Sequence, residues 1–139
     1  MARRTRVEFE NDYGQVLQYR THENGGGLVS PKAFVADDAV VAVGAYVEAG
    51  ARLGSGSRLG AGTWLDEGAI VGAGVTIGRN VHIGPGSRVG DRVMIGSNVK
   101  MGAAVVVEAR ARVLADIHVP DGTRLEAGAI VKESVRQAA

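Results

Sequence analysis

The chain contains no cysteine, which excludes disulfides, thiol catalysis and zinc–thiolate sites. It has no run of 18 apolar residues to cross a bilayer as a helix, and no apolar stretch follows Arg3, Arg4 and Arg6 as a secretory signal requires. These absences predict a protein that is cytoplasmic, or incorporated into a particle assembled inside the cell, with no membrane as partner. An excess of one charge is missing too. Sixteen basic against 15 acidic side chains leave a formal net charge of +1, which gives no case for nucleic acid as a partner. At 139 residues the chain has the size of one domain.

What the sequence does have is a six-residue repeat, unbroken from Val29 to Arg136. The run covers 136 − 28 = 108 residues, or 108/6 = 18 repeats. The first position of every repeat is aliphatic or Met, from Val29, Val35 and Val41 through Leu53, Ile77 and Met101 to Leu125 and Val131. The fifth is small or β-branched throughout, as in Ala39, Ser57, Thr63, Val75, Ser87 and Ile117. Of 21 glycines, the 17 within the run occupy only the second and fourth positions, and Asp38, Asn80, Asn98 and Asp116 replace glycine at the fourth. Gly, Asn and Asp tolerate positive φ, so the fourth position predicts a left-handed corner once per repeat.

A period of six fits neither 3.6 nor 3.5 residues per turn, and glycine at this density costs a helix about 1 kcal/mol per residue. The spacing instead predicts an all-β solenoid. Strands stack on their equivalents one coil later, first-position aliphatics fill the axis and fifth-position residues fill the corners. Residues 1–28 differ. The segment RVEFENDYGQVLQYR predicts two short strands around a turn at Asn11-Asp12-Tyr13-Gly14. Gly25-Gly26-Gly27 then joins this lead-in to the solenoid, and the segment is expected to cap Val29, Val35 and Val41. Past the run lies only a short tail, 137–139, and Lys132, Glu133 and Arg136 are expected to guard an otherwise bare end that permits stacking onto a partner.

Repeats such as LGAGTW, IGRNVH, IGPGSR and IGSNVK resemble the hexapeptide repeat of left-handed parallel β-helix proteins, a superfamily of many acyltransferases and of the γ-class carbonic anhydrases. The resemblance covers 29–136 and implies three repeats per triangular coil, hence 18/3 = 6 coils, and a left hand. It also implies a homotrimer of parallel prisms. The lead-in with GGGLVSPKAFV resembles, more weakly, the opening of some phage-associated β-solenoid proteins.

Chemistry on such a prism sits on its outer faces, at the sixth position of each repeat. Every eighteenth residue down one face gives Tyr46, Trp64, His82, Lys100, His118 and Arg136, a column holding the sole Trp and two of three histidines. The other faces carry Phe34, Arg52, Ile70, Arg88, Val106, Arg124 and Val40, Arg58, Thr76, Met94, Arg112, Ile130. His82 and His118 are the candidate catalytic bases, since imidazole titrates near pH 6.5. Tyr46, Trp64, Lys100 and Arg136 form the accompanying ligand or interface column.

The stretch VHIGPGSRVGD around His82 resembles one in the sugar acetyltransferases of the superfamily, where the corresponding His helps hold the acyl group. The base of those enzymes lies about nine residues earlier, where this chain has Ala73-Gly74-Val75. For anhydrase chemistry, His82 and His118 lie 118 − 82 = 36 residues apart, two coils, His22 falls outside the run and Thr123 occupies the place of the family's third ligand, so no metal site is expected.

Two readings from different classes follow, with a third behind them. The first is a non-catalytic homotrimeric β-helix serving as a structural or assembly module without a cofactor, suggested by coils without loops and by the missing base. The second is an acyltransferase that takes acetyl-CoA, another acyl-CoA or acyl carrier protein at a trimer seam. The third is a degenerate γ-carbonic anhydrase.

Overall fold

The computed structural model describes residues 6–10 and 16–135. These contain no helix and form a parallel β-solenoid of about six turns with three sheets. Each solenoid strand is two residues long, one pointing out and one in, because the repeat allots only its sixth and first positions to the extended segment. One sheet stacks β3 (Leu28–Val29), β6 (Tyr46–Val47), β9 (Trp64–Leu65), β12 (His82–Ile83), β15 (Lys100–Met101) and β18 (His118–Val119). The second stacks β4 (Phe34–Val35), β7 (Arg52–Leu53), β10 (Ile70–Val71), β13 (Arg88–Val89), β16 (Val106–Val107) and β19 (Arg124–Leu125). The third stacks β5 (Val40–Val41), β8 (Arg58–Leu59), β11 (Thr76–Ile77), β14 (Met94–Ile95), β17 (Arg112–Val113) and β20 (Ile130–Val131). Every pairing between them is parallel and in register at an interval of 18 residues, as in Trp64 beside His82 and Leu65 beside Ile83.

The axis is apolar from Val41 to Leu125, with each first-position residue in that span buried. Val29, Val35 and Val131 are only partly buried, because an end coil lacks a neighbour on one side. The lead-in lies beside the first coil. It reaches Val41 through backbone bonds from Gly27 N to Val41 O (2.8 Å) and from Val41 N to Asn24 O (3.0 Å), while the His22 ring meets Ala39 O at 2.7 Å. The strands β1 (Arg6–Glu10) and β2 (Val16–Thr21) pair antiparallel, and β2 extends the first sheet by pairing antiparallel with β3. The turn expected at Asn11-Asp12-Tyr13-Gly14 lies outside the described residues.

Fourth-position residues adopt positive φ at 15 consecutive corners, from Gly44 (φ 85°) to Gly128 (φ 73°). Asn80, Asn98 and Asp116 take the left-handed conformation that their side chains tolerate. Two departures from the sequence pattern stand out. Asp38 is not left-handed, and its carboxylate instead accepts from Ser55 Oγ (2.7 Å) and Gly56 N (3.1 Å), supporting the corner one coil later. Conversely Arg92 (φ 60°), Ala104 (φ 53°) and Arg110 (φ 63°) are left-handed although their side chains give no local reason for it. Their conformation is imposed by coils on either side.

Fifth-position hydroxyls tie coils together. Thr63 Oγ1 donates to Gly78 O (2.7 Å) and accepts from Val81 N (3.2 Å), and Ser57 and Ser87 repeat the motif with Gly72/Val75 and Gly102/Val105. All three side chains are fully buried, so each hydroxyl satisfies a donor and an acceptor that have no access to water.

Candidate functional site

The register of the first sheet dictates what its outer face presents. Trp64 and His82 occupy equivalent positions one coil apart, so their rings face each other, and they stack with centroids 4.2 Å apart and planes 12° from parallel. Asp66 lies two residues beyond Trp64 on the same side of the strand, diagonally across from His82. It closes that diagonal: His82 Nε2 lies 2.9 Å from Asp66 Oδ2, while Asp66 Oδ1 accepts from Glu67 N at 2.7 Å. A carboxylate only accepts, so Nε2 of His82 donates to Asp66 and Nδ1 is the ring nitrogen left facing outward from that bond. Both residues are half-buried: the His82 side chain is 35% exposed and that of Asp66 16%. Trp64 covers one face of the imidazole and the carboxylate fixes its rotation.

The remainder of the column divides at this dyad. Toward the first coil, Tyr46 meets Tyr19 of β2 edge to face, with centroids 5.6 Å apart, and the Tyr19 hydroxyl donates to Glu48 Oε1 at 2.6 Å. Burial, and then this bond to Glu48, raise the Tyr19 hydroxyl well above its ordinary value of 10.0. Tyr19, Lys32, Glu48 and Glu67 border a hollow of about 260 Å³, one residue along the chain from Asp66. Toward the last coil, Lys100 is exposed between His82 and His118. His118 is exposed too, and its backbone is engaged by Ser134 Oγ on its N–H (3.0 Å) and by Val135 N on its carbonyl (3.1 Å). Among the described residues, His82 thus has a carboxylate and a stacking partner and His118 has neither. Arg136 lies outside the described residues.

Asp66 was not among the residues singled out from the sequence. It occupies the second position of its repeat, where glycine predominates, and it precedes His82 by 16 residues, one coil of 18 minus the two separating Asp66 from Trp64. The same interval joins Glu108 to Arg124, whose Nη2 donates to Glu108 Oε2 at 2.5 Å. Among the described residues no three His, Asp or Glu side chains gather as a metal site requires, and His82 and His118 are separated by β15.

Residues 57–91 and 68–103 match the family model described as bacterial transferase hexapeptide (six repeats). The matched residues carry the hexapeptide repeat, and the described residues form a parallel β-solenoid. No curated protein sequence matches it. Among solved structures, a mutant of GDP-perosamine N-acetyltransferase from Caulobacter crescentus in complex with CoA and GDP-perosamine is similar at 24% identity and a TM-score of 0.71, over 78% of this chain and 50% of that one. The acetyltransferase domain of PglB from Neisseria gonorrhoeae is similar at 24% identity and a TM-score of 0.71, over 73% and 50%. A hexapeptide transferase family protein from Anaplasma phagocytophilum follows at 25% identity and a TM-score of 0.53, over 76% and 69%. The chain spans about half the length of the first two, so the likeness to them is one of fold.

Proposed function

We propose that the protein is an acyltransferase using acyl-CoA or another acyl thioester, with His82 as general base and Asp66 as the residue that orients it. The observation carrying this reading is the 2.9 Å pair of His82 and Asp66, held under Trp64 on an outer face. Support comes also from the transferase repeat over 57–103 and from solved neighbours described as acetyltransferases, one of them bound to CoA. The expectation of a non-catalytic module leaned on the absent base at Ala73-Gly74-Val75, and a carboxylate–imidazole pair at 66 and 82 makes that absence less decisive.

In the proposed reaction, His82 Nδ1 takes the proton of an acceptor amine or hydroxyl as that group attacks the thioester carbonyl. The carbon–sulfur bond breaks as the new carbon–nitrogen or carbon–oxygen bond forms, and the proton passes from His82 to the departing thiolate. Asp66 stabilises the imidazolium formed between the two transfers. A single flat sheet face walls the substrate on one side only, so the reading includes a homotrimer in which a second prism supplies the other wall. Exposed Phe34, Trp64, Ile70, Met94 and Ile130 are apolar groups suited to that contact. A cytoplasmic location suits a CoA substrate.

The test combines binding with turnover. CoA at 100 times its Kd should stabilise the folded chain by about 2.7 kcal/mol in a thermal-shift assay. Thiol release from acetyl-CoA should fall roughly 10²–10⁴-fold in His82→Ala and to a lesser degree in Asp66→Asn, with the melting temperature of each variant confirming its fold. Absence of any CoA-dependent shift, together with thiol release unaffected by His82→Ala, would sink the proposal and favour the assembly-module reading.

A further inference from the structure

The corner between the second and third sheets, remote from the His82 face, carries a different chemistry. Its fourth-position column reads Asp38, Gly56, Gly74, Arg92, Arg110, Gly128, all but Asp38 at positive φ. Among the 15 left-handed corner residues these two arginines are the only ones bearing a cation, and they stand in successive coils, about 4.8 Å apart along the stack. A left-handed backbone is unfavourable for a non-glycine residue, and carrying two arginines at one corner in successive coils adds like-charge repulsion. Such a pair is unfavourable by itself and becomes favourable when an anion bridges it.

The surroundings are built for access to that pair. Backbone bonds from Arg92 N to Ala73 O and from Arg110 N to Asp91 O, both 2.9 Å, pin the two Cα positions. The Arg92 stem lies over Gly74, whose added Cβ would sit 3.5 Å from Arg92 Cγ. Gly74, Asp91, Arg92 and Arg110 border a hollow of about 560 Å³. The ion pairs of the described residues are His82–Asp66 and Arg124–Glu108, so neither corner arginine is neutralised by one. Asp91, the carboxylate at this corner, has Oδ1 committed to Ala73 N at 2.9 Å, and Glu108 is held by Arg124 and Ala127 N. Arg88 and Arg112, exposed on the flanking strands β13 and β17, add two further positive charges within the same two coils. These two coils thus carry four arginines at or beside the corner, against the two carboxylates Asp91 and Glu108.

We propose that this corner binds a phosphate-bearing anion, with Arg92 and Arg110 as its two forks. A guanidinium pairs bidentately with phosphate oxygens, and two forks one coil apart suit a diphosphate better than a single phosphate. The site is separate from the proposed acyl-transfer face and does not depend on it.

The test uses the full chain and follows its melting temperature and calorimetric binding with inorganic phosphate, inorganic pyrophosphate and ADP, against sodium chloride at matched ionic strength. Pyrophosphate is expected to raise the melting temperature beyond the chloride control, and Arg92→Gly/Arg110→Gly to weaken its binding tenfold or more. That double variant relieves the left-handed strain, so it is expected to fold and to melt no lower than the parent without ligand. His82→Ala should retain the whole response, which separates this site from the acyl-transfer reading. A response to pyrophosphate assigns free phosphates as sources, and a response to ADP alone assigns nucleotides. Melting that responds to the three anions no more than to chloride, or pyrophosphate binding that survives in the double variant, overturns the proposal.

Discussion

Asp66 shows what is readable at the scale of a single residue. A parallel stack in register makes residue i the straight neighbour of i + 18, and a column drawn at that interval finds Trp64, His82 and their companions. It passes over i + 16, the diagonal along which a second-position carboxylate meets a sixth-position base. Asp66–His82 and Glu108–Arg124 both obey that interval. The signal was present as an acidic residue in a glycine position, but its partner became definite only with strand register. Buried hydroxyls follow similar logic. Thr63→Val keeps the shape and deletes the oxygen serving Gly78 O and Val81 N, so chemical denaturation should report a loss of about 1–3 kcal/mol, with Ser87→Ala in the same range. Ala104→Gly should move stability the other way, by up to about 1 kcal/mol, because relief of a left-handed alanine exceeds the added freedom of the unfolded chain.

Two titrations belong at this scale as well. A hydrogen bond from Arg124, and then one from Ala127 N, hold the Glu108 carboxyl below its ordinary value of 4.5. Its contribution to stability is therefore complete above pH 4.5 and disappears as the pH falls through the lowered value. The melting-temperature advantage of the parent over Glu108→Gln should shrink on acidification across that window. Tyr19 runs in the opposite direction. Its hydroxyl is raised by burial and by Glu48, so its contribution is complete below pH 10.0 and is lost as the pH rises, and the advantage over Tyr19→Phe should narrow on the alkaline side.

At the scale of the element, a two-residue strand is too short to be stable alone, and each one depends on the coils above and below. Close stacking explains the glycines of the second position, whose backbone is not left-handed. A Cβ on Gly54 would lie 2.5 Å from Gly72 O, and one on Gly96 would lie 2.6 Å from Ala115 N. These obstacles are backbone atoms and cannot rotate aside. Gly96→Ala should accordingly cost about 1–3 kcal/mol in denaturant unfolding, through separation of the coils rather than loss of any side-chain contact. The same dependence on neighbours explains the half-buried Val29, Val35 and Val131. It also explains why Asp38, beside the lead-in and bonded through its carbonyl to Asn24 Nδ2 (3.3 Å), departs from the corner conformation its residue type allows.

For the whole molecule, the three outer faces differ in what they offer. The first concentrates aromatic and imidazole groups, the second alternates apolar residues with arginines, and the third sets Arg58 and Arg112 among Val40, Thr76, Met94 and Ile130. Ile70 and Met94 are exposed on those two faces, and the proposed homotrimer would cover such groups. Light scattering should then give three times 14.4 kDa for the parent and a smaller mass for Ile70→Lys/Met94→Lys, with the strand signal in circular dichroism unchanged. A monomeric parent would remove the seam from the acyl-transfer reading and leave His82 with one wall. Among the described residues no helix is long and apolar enough to cross a membrane.

The sequence by itself determined the period, the inward set and the corners that glycine, Asn80, Asn98 and Asp116 can occupy, since each follows from local sterics and from apolar burial repeated at a fixed interval. Tertiary structure alone decided that Arg92, Ala104 and Arg110 turn left-handed, that Asp38 does not, and that His82 has the carboxylate of Asp66 at hand. The physical reason is common to all of these. They are set by atoms 16 to 18 residues away in the next coil, at a distance where composition and propensity carry no information and only register does.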